Sequence, residues 1–207
     1  KCGENVNGRE NGTNENVSRE KIGGYMRLED EQYEYIKSTV SDTFIEYGIK
    51  SAPISAFEMA TKMGIKVIPY SALGEEKESY LMKRSGDGFL AEYDDHTWKL
   101  YYNDHCQSYG RINHTIMHEV GHYALGHIKE GDEEEAEAEF FAKYALAPPP
   151  LIHNMVENIS PFSIMKKFDI SYAAACYAYK YYNSWLQYGQ REYTGYERKI
   201  LSQFSIA

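Results

Sequence analysis

Two histidines four residues apart, with a glutamate directly after the first, are the residues of this chain best suited to chemistry: His118-Glu119-Val120-Gly121-His122. They lie in a run whose apolar residues (Ile112, Ile116, Met117, Val120, Ala124, Leu125) recur at helical spacing. Residues four apart sit one above the other on a helix, so both imidazoles can close on one zinc ion. A zinc ion held by side chains, with one position left for water, lowers the pKa of that water to about 7 and makes a hydrolytic centre. Glu119 then serves as the base over the open position. The competing reading is an amphipathic helix whose histidines are surface or satisfied core groups. Gly121 argues against it: a glycine there costs about 1 kcal/mol of helix propensity and gives room for a substrate or strand to approach. A further histidine, His127, follows Gly126, a good helix terminator.

His114 lies one turn before His118. His114 and His122 are eight residues apart, about 12 Å along a helix at 1.5 Å per residue. Ligand bonds of about 2.0–2.1 Å cannot bring all three histidines onto one ion. His114 is therefore read as a surface residue or as one lying behind the ligand pair. The third ligand must come from another element, and the acidic run from Asp132 to Glu139 opens the next helix. Asp132 is a plausible N-cap, and most of these carboxylates are solvated charges that suit the helix dipole. Register separates them. The apolar face through Ala138, Phe141, Ala142, Ala145 and Leu146 extends back to Glu135, with Glu139 one turn on, placed to orient a ligand. Glu134 and Glu137 point elsewhere.

Together, His118-Glu119-Val120-Gly121-His122, Leu125-Gly126-His127, the stretch Glu135 to Ala142 and Ala145-Leu146-Ala147-Pro148 resemble the ImmA/IrrE family of metallopeptidases. The family's second motif, Glu-x-x-Ala-Asn-x-Phe-Ala, falls with its glutamate on Glu135. This chain departs from it at Glu139, where the family has Asn, and at Ala147, where it has Met before the proline. Phe168 to Ala175 is similar to the family's Phe-x-Val-Ser-x-x-Ala helix start. The resemblance covers roughly residues 26–190. It implies a gluzincin-like peptidase with one zinc ion on His118, His122 and Glu135, other divalent metals such as Mn²⁺ being possible occupants. It also implies a protein substrate, a helix-turn-helix repressor of the phage or mobile-element kind.

The 207 residues are enough for one domain with a real core, and the formal net charge is −9. That balance argues against a phosphate-backbone binder, whose affinity comes from clustered Lys and Arg. Cys2, Cys106 and Cys176 are odd in number and scattered, which predicts neither a disulfide framework nor a cysteine zinc knuckle and fits a reducing cytoplasm. No run of about 18 apolar residues predicts a membrane span.

Residues 1–25, rich in Asn, Gly, Glu and Arg, are expected to form a disordered extension. Gly23-Gly24 just before Met26 matches a translated ribosome-binding site, which would make Met26 the native start and the preceding residues a mis-assigned leader. Residues 26–207 then form one zincin-like domain of the α+β class, with the site in 26–147 and a helical part in 148–207. Helices are predicted over 29–47 and 55–63, the latter with a capping box between Ser55 and Glu58. Strands are predicted over 66–70, 79–84, 88–93 and 98–103, forming a small antiparallel sheet before the metal-binding helix. An edge strand of that sheet could align an extended peptide across the zinc. His96 and His105 fall in turns and are expected to be exposed. Prolines 148–150 end the acidic helix, and the remainder reads as helices over 151–158, 161–167, 172–188 and 192–204. The tyrosines from Tyr172 to Tyr182 are read as packing surface, with an aromatic docking face as the alternative. Two rival functions stand beside the peptidase: a zinc-containing regulator that sequesters a repressor uncut, and a structural protein with a chance motif.

Overall fold

The computed structural model of the chain describes residues 21–22, 25–105, 108–129, 131–189 and 192–206. The expectation for residues 1–25 therefore falls largely outside the described residues, as do Cys2 and Cys106. Within it, β1 (Lys21–Ile22) pairs antiparallel with β2 (Tyr25–Met26), and β2 lies against the acidic helix α5 introduced below.

Helix α1 (Asp30–Glu46) starts at a reciprocal cap between Glu29 and Gln32 and buries Ile36, Val40 and Phe44. Helix α2 (Ala56–Lys62) starts at Ser55, whose hydroxyl accepts from Glu58 N at 3.2 Å. The Glu58 carboxylate pairs with Lys62 at 2.6 Å. Strand β3 (Lys66–Pro69) leads through a 3₁₀ turn (Tyr70–Leu73) into helix α3 (Glu75–Arg84).

That helix replaces the strand predicted over 79–84. The alternation of Tyr80 and Met82 had no face to bury: both are exposed, and α3 contains no buried residue. Charge order decides the matter. Glu75, Glu76 and Glu78 occupy the first turn and Lys83 and Arg84 the last, each sign at the end where the helix dipole favours it.

Strands β4 (Gly88–Glu92) and β5 (Trp98–Tyr102) complete a three-stranded sheet in the order β3-β5-β4. The predicted antiparallel pairing holds for β4 and β5, with Leu90 opposite Leu100. Strand β3, however, runs parallel to β5 with Val67 opposite Leu100, so the sheet is mixed. The reason is the crossover: α3 and β4 intervene between the two strands, which gives the chain the length a parallel connection requires. Strand β4 is left as an edge.

Helix α4 (Tyr109–Leu125) carries the histidine pair and buries Ile116, Met117 and Val120. Helix α5 (Asp132–Leu146) packs along it and buries Phe141, Ala142 and Ala145. Gly131, rather than Asp132, occupies the N-cap, and Asp132 opens the first turn with Glu133, Glu134 and Glu135. The contact between the two helices explains Gly121. A β-carbon there would meet Phe141 Cδ1 at 3.1 Å and Ala138 O at 3.2 Å, so this glycine admits a neighbouring helix, not a substrate or strand. Overpacking this fully buried contact costs about 1–3 kcal/mol, against a propensity gain of about 1 kcal/mol for alanine. Gly121→Ala is therefore expected to destabilise the fold, measurable as a lower midpoint in denaturant unfolding.

Asn113, 1% exposed, is one of four buried polar residues among those described, with Ser41, Thr43 and Glu197. Its Oδ1 accepts from Ala56 N at 2.7 Å and its Nδ2 donates to Ile54 O at 3.0 Å, tying the start of α2 to α4. Asn113→Leu would leave a buried N–H and a buried C=O unpaired, at about 1–3 kcal/mol each. A stability loss of about 2–4 kcal/mol in chemical denaturation is the expected result.

Beyond α5 the chain forms α6 (Pro149–Met155), α7 (Pro161–Phe168), α8 (Tyr172–Tyr188) and α9 (Gly195–Gln203). The prolines that end α5 also begin α6, where a missing N–H costs nothing. Helix α9 lies on α1 and α8 reaches α5, so one hydrophobic core runs through both parts. Tyr181 meets Phe140 and Tyr144 edge-on, and Tyr182 stacks on Trp185, which makes these tyrosines packing groups; Tyr172 is exposed. No helix among the described residues is long and apolar enough to cross a membrane.

Candidate metal centre

His118 and His122 stand one turn apart on α4 with their Nε2 atoms 3.1 Å from each other. Glu135 enters from the first turn of α5, three residues before Ala138, whose carbonyl lies at the close approach to Gly121. Its Oε2 is 3.3 Å from His118 Nε2 and its Oε1 is 3.5 Å from His122 Nε2. Ligand bonds of about 2.0–2.2 Å at tetrahedral angles separate neighbouring ligand atoms by about 3.3–3.5 Å. The three separations lie close to that range, the two from Glu135 being made by different oxygens of its carboxylate, so the groups stand near enough to share one ion. Among the described residues, this is the one group of three or more His, Cys, Asp or Glu whose ligand atoms gather within 4.8 Å of one another.

An outer ring backs the triad. Glu139 places Oε2 3.5 Å from His118 Nδ1 and 3.6 Å from His114 Nε2, while its Oε1 pairs with Lys143 at 2.8 Å. His114 accordingly lies behind the ligand pair. On the other side, His127 sits with Nδ1 2.9 Å from His122 Nδ1 and Nε2 2.9 Å from Glu137 Oε2. Glu137 Oε1 accepts from Gln32 of α1 at 2.8 Å. Glu137 does turn away from the triad, as helical register requires, but it reaches His127. Neither Glu137 nor Gln32 was marked as a site residue by the sequence, although a histidine placed directly after a helix-ending glycine was a usable signal for the first.

The charges follow from this arrangement. Burial alone would lower His118, but the Glu135 and Glu139 carboxylates outweigh it and leave the imidazole pushed up to about 9. Burial and the neighbouring His118 charge lower His122. The His118 hydrogen bond holds Glu135 below the ordinary carboxylate value. Burial would raise Glu139, yet His118, His114 and Lys143 bring it down to about 2. Without metal, therefore, the arrangement favours charge on His118 over His122, beside two carboxylates held low.

The triad opens on a cleft of about 890 Å³. Glu119 lines it beside the three candidate ligands, and Phe89 and Leu90 of edge strand β4 form part of its wall with Trp98 and Tyr123. Trp98 and Tyr123 meet edge-on at 5.2 Å. His96 and His105 lie elsewhere, exposed and paired with Glu92 and Glu78.

Residues 60–180, more than half of the chain, match the family model of the IrrE N-terminal-like domain, a peptidase family. No curated protein matches the chain. The matched span contains every residue of the triad, Glu119, the whole three-stranded sheet and the outer ring except Gln32. By that match, on a site whose donors suit a metal ion, the chain belongs to the IrrE N-terminal-like family of metal-dependent peptidases.

Proposed function

We propose that the chain is a zinc endopeptidase that cuts a helix-turn-helix repressor at a single site, with His118, His122 and Glu135 as ligands and Glu119 as general base. The observation that carries the zinc reading is the set of separations of 3.1, 3.3 and 3.5 Å between two imidazole nitrogens and one carboxylate. Two nitrogens and one oxygen, with room for a fourth donor from the cleft, are what a catalytic zinc takes. When bound, zinc supplies Lewis acidity toward the peptide carbonyl and toward water. The chain's own residues do the rest. Glu119 accepts the proton that water loses on attack and returns it to the departing amine. Strand β4 is an edge of the sheet and its Phe89 and Leu90 line the cleft, so an extended substrate can add to the sheet beyond Gly88, whose N–H and C=O are taken by Ser85 Oγ, and lie beside Glu119.

The repressor substrate rests on the resemblance to the ImmA/IrrE proteins, and the chain's net negative charge suits a basic partner. Co-expression with the helix-turn-helix repressor encoded nearest its gene tests it. Two repressor fragments are expected, with an intact repressor when Glu119 is replaced. Release of transcription with the repressor still intact would replace cleavage by sequestration.

A further inference from the structure

Helix α4 ends at Gly126, whose φ of 72° is left-handed. Gly126 N–H bonds Tyr123 O at 3.2 Å and His127 N–H bonds His122 O at 3.0 Å. These are the paired bonds of a Schellman ending, which sets the residue after the glycine against the residue five before it, usually as an apolar contact. Here both residues are histidines, with ring centres 5.0 Å apart and the two Nδ1 atoms at 2.9 Å.

One of those nitrogens must donate, and the far end of the chain of bonds decides which. His127 Nε2 faces Glu137 Oε2 at 2.9 Å, and an ionised carboxylate only accepts. A neutral His127 in this geometry holds its hydrogen on Nε2 and its lone pair on Nδ1. His122 then donates from Nδ1, which leaves its Nε2 bare on the side of His118 and Glu135. Glu137 is itself held: Gln32 Nε2 donates to it at 2.8 Å and to Glu133 at 2.7 Å, while Gln32 Oε1 accepts from Glu29 N at 2.9 Å.

We propose that His127 and Glu137 are positioning residues that select the His122 tautomer presenting Nε2 to the metal. The inference rests on the reading of His122 as a ligand. His118 needs no such relay, because the Glu139 carboxylate faces its Nδ1 directly at 3.5 Å. The two imidazoles are thus prepared by different routes, one by a carboxylate and one by a carboxylate acting through a second ring. Partners of this kind are worth about 10–100-fold in metal affinity.

Two variants separate this role from packing. His127→Leu removes the acceptor, whereas His127→Asn can restore one, because its Oδ1 can occupy the place of Nδ1. Ring ¹⁵N NMR of the metal-free full chain is expected to show His122 with its hydrogen on Nδ1 in the parent and in His127→Asn. In His127→Leu the Nε2–H form is expected to appear. Zinc affinity, measured by competition with a chelating indicator, should fall about 10–100-fold in His127→Leu and recover in His127→Asn. If His127→Leu does not fold, Glu137→Leu on half-buried ground carries the same two expectations. An unchanged tautomer and unchanged zinc affinity in the folded variant overturn the relay alone. A parent chain that takes up no zinc overturns the relay together with the ligand assignment beneath it.

Discussion

Glu119→Gln is expected to keep one equivalent of zinc and to slow peptide cleavage by about 10²–10⁴-fold, the range a positioned acid–base group contributes. The exchange is nearly isosteric, so the cleft keeps its shape, and the residue is not one of the three groups that converge. What changes is the capacity to accept a proton. Glu119 lines the cleft beside the triad and its charge acts on His118, which sets it next to the three candidate ligands. Elemental analysis and the time course of repressor fragmentation check both halves of the expectation. Equal rates for variant and parent would remove Glu119 from the role of general base.

Glu135→Ala should abolish stoichiometric zinc binding, while Glu134→Ala, one residue earlier in the same acidic turn, should leave it intact. The contrast matters because Asp132, Glu133, Glu134 and Glu135 all suit the helix dipole and would look alike in any measure of net charge. Only Glu135 has oxygens at 3.3 and 3.5 Å from the two imidazoles. Thermal unfolding with and without zinc reads the difference. A bound ion at 100 times its dissociation constant stabilises the fold by about 2.7 kcal/mol, so the parent and Glu134→Ala should gain in melting temperature and Glu135→Ala should not. A zinc-dependent gain in Glu135→Ala equal to that of the parent would show that another acid completes the site.

The parts of this protein legible in its sequence are those governed by short spacing. A four-residue interval fixes His118 and His122 on one face, because helical geometry is the same in any protein. Register on α5 singles out Glu135 for the same reason, since Glu135 and Ala138 share the face that meets Gly121. Serines before α2, α7 and α8 mark real starts, because a cap is satisfied within three residues. What depended on distant partners was decided only on folding. The alternation of Tyr80 and Met82 imitated a strand, but no sheet lay beside it to bury either side chain. Strand β3 became parallel because of what intervenes before β5, not because of its own residues. Gly121 serves helix packing, and Asn113 is buried because Ile54 and Ala56 meet it from nearly 60 residues away. The relay from Gln32 through Glu137 and His127 to His122 joins three separate elements of the chain. Spacing within a helix reveals which groups can face a metal. Which groups stand behind them is settled by tertiary packing, since a hydrogen-bond partner can come from any point in the chain.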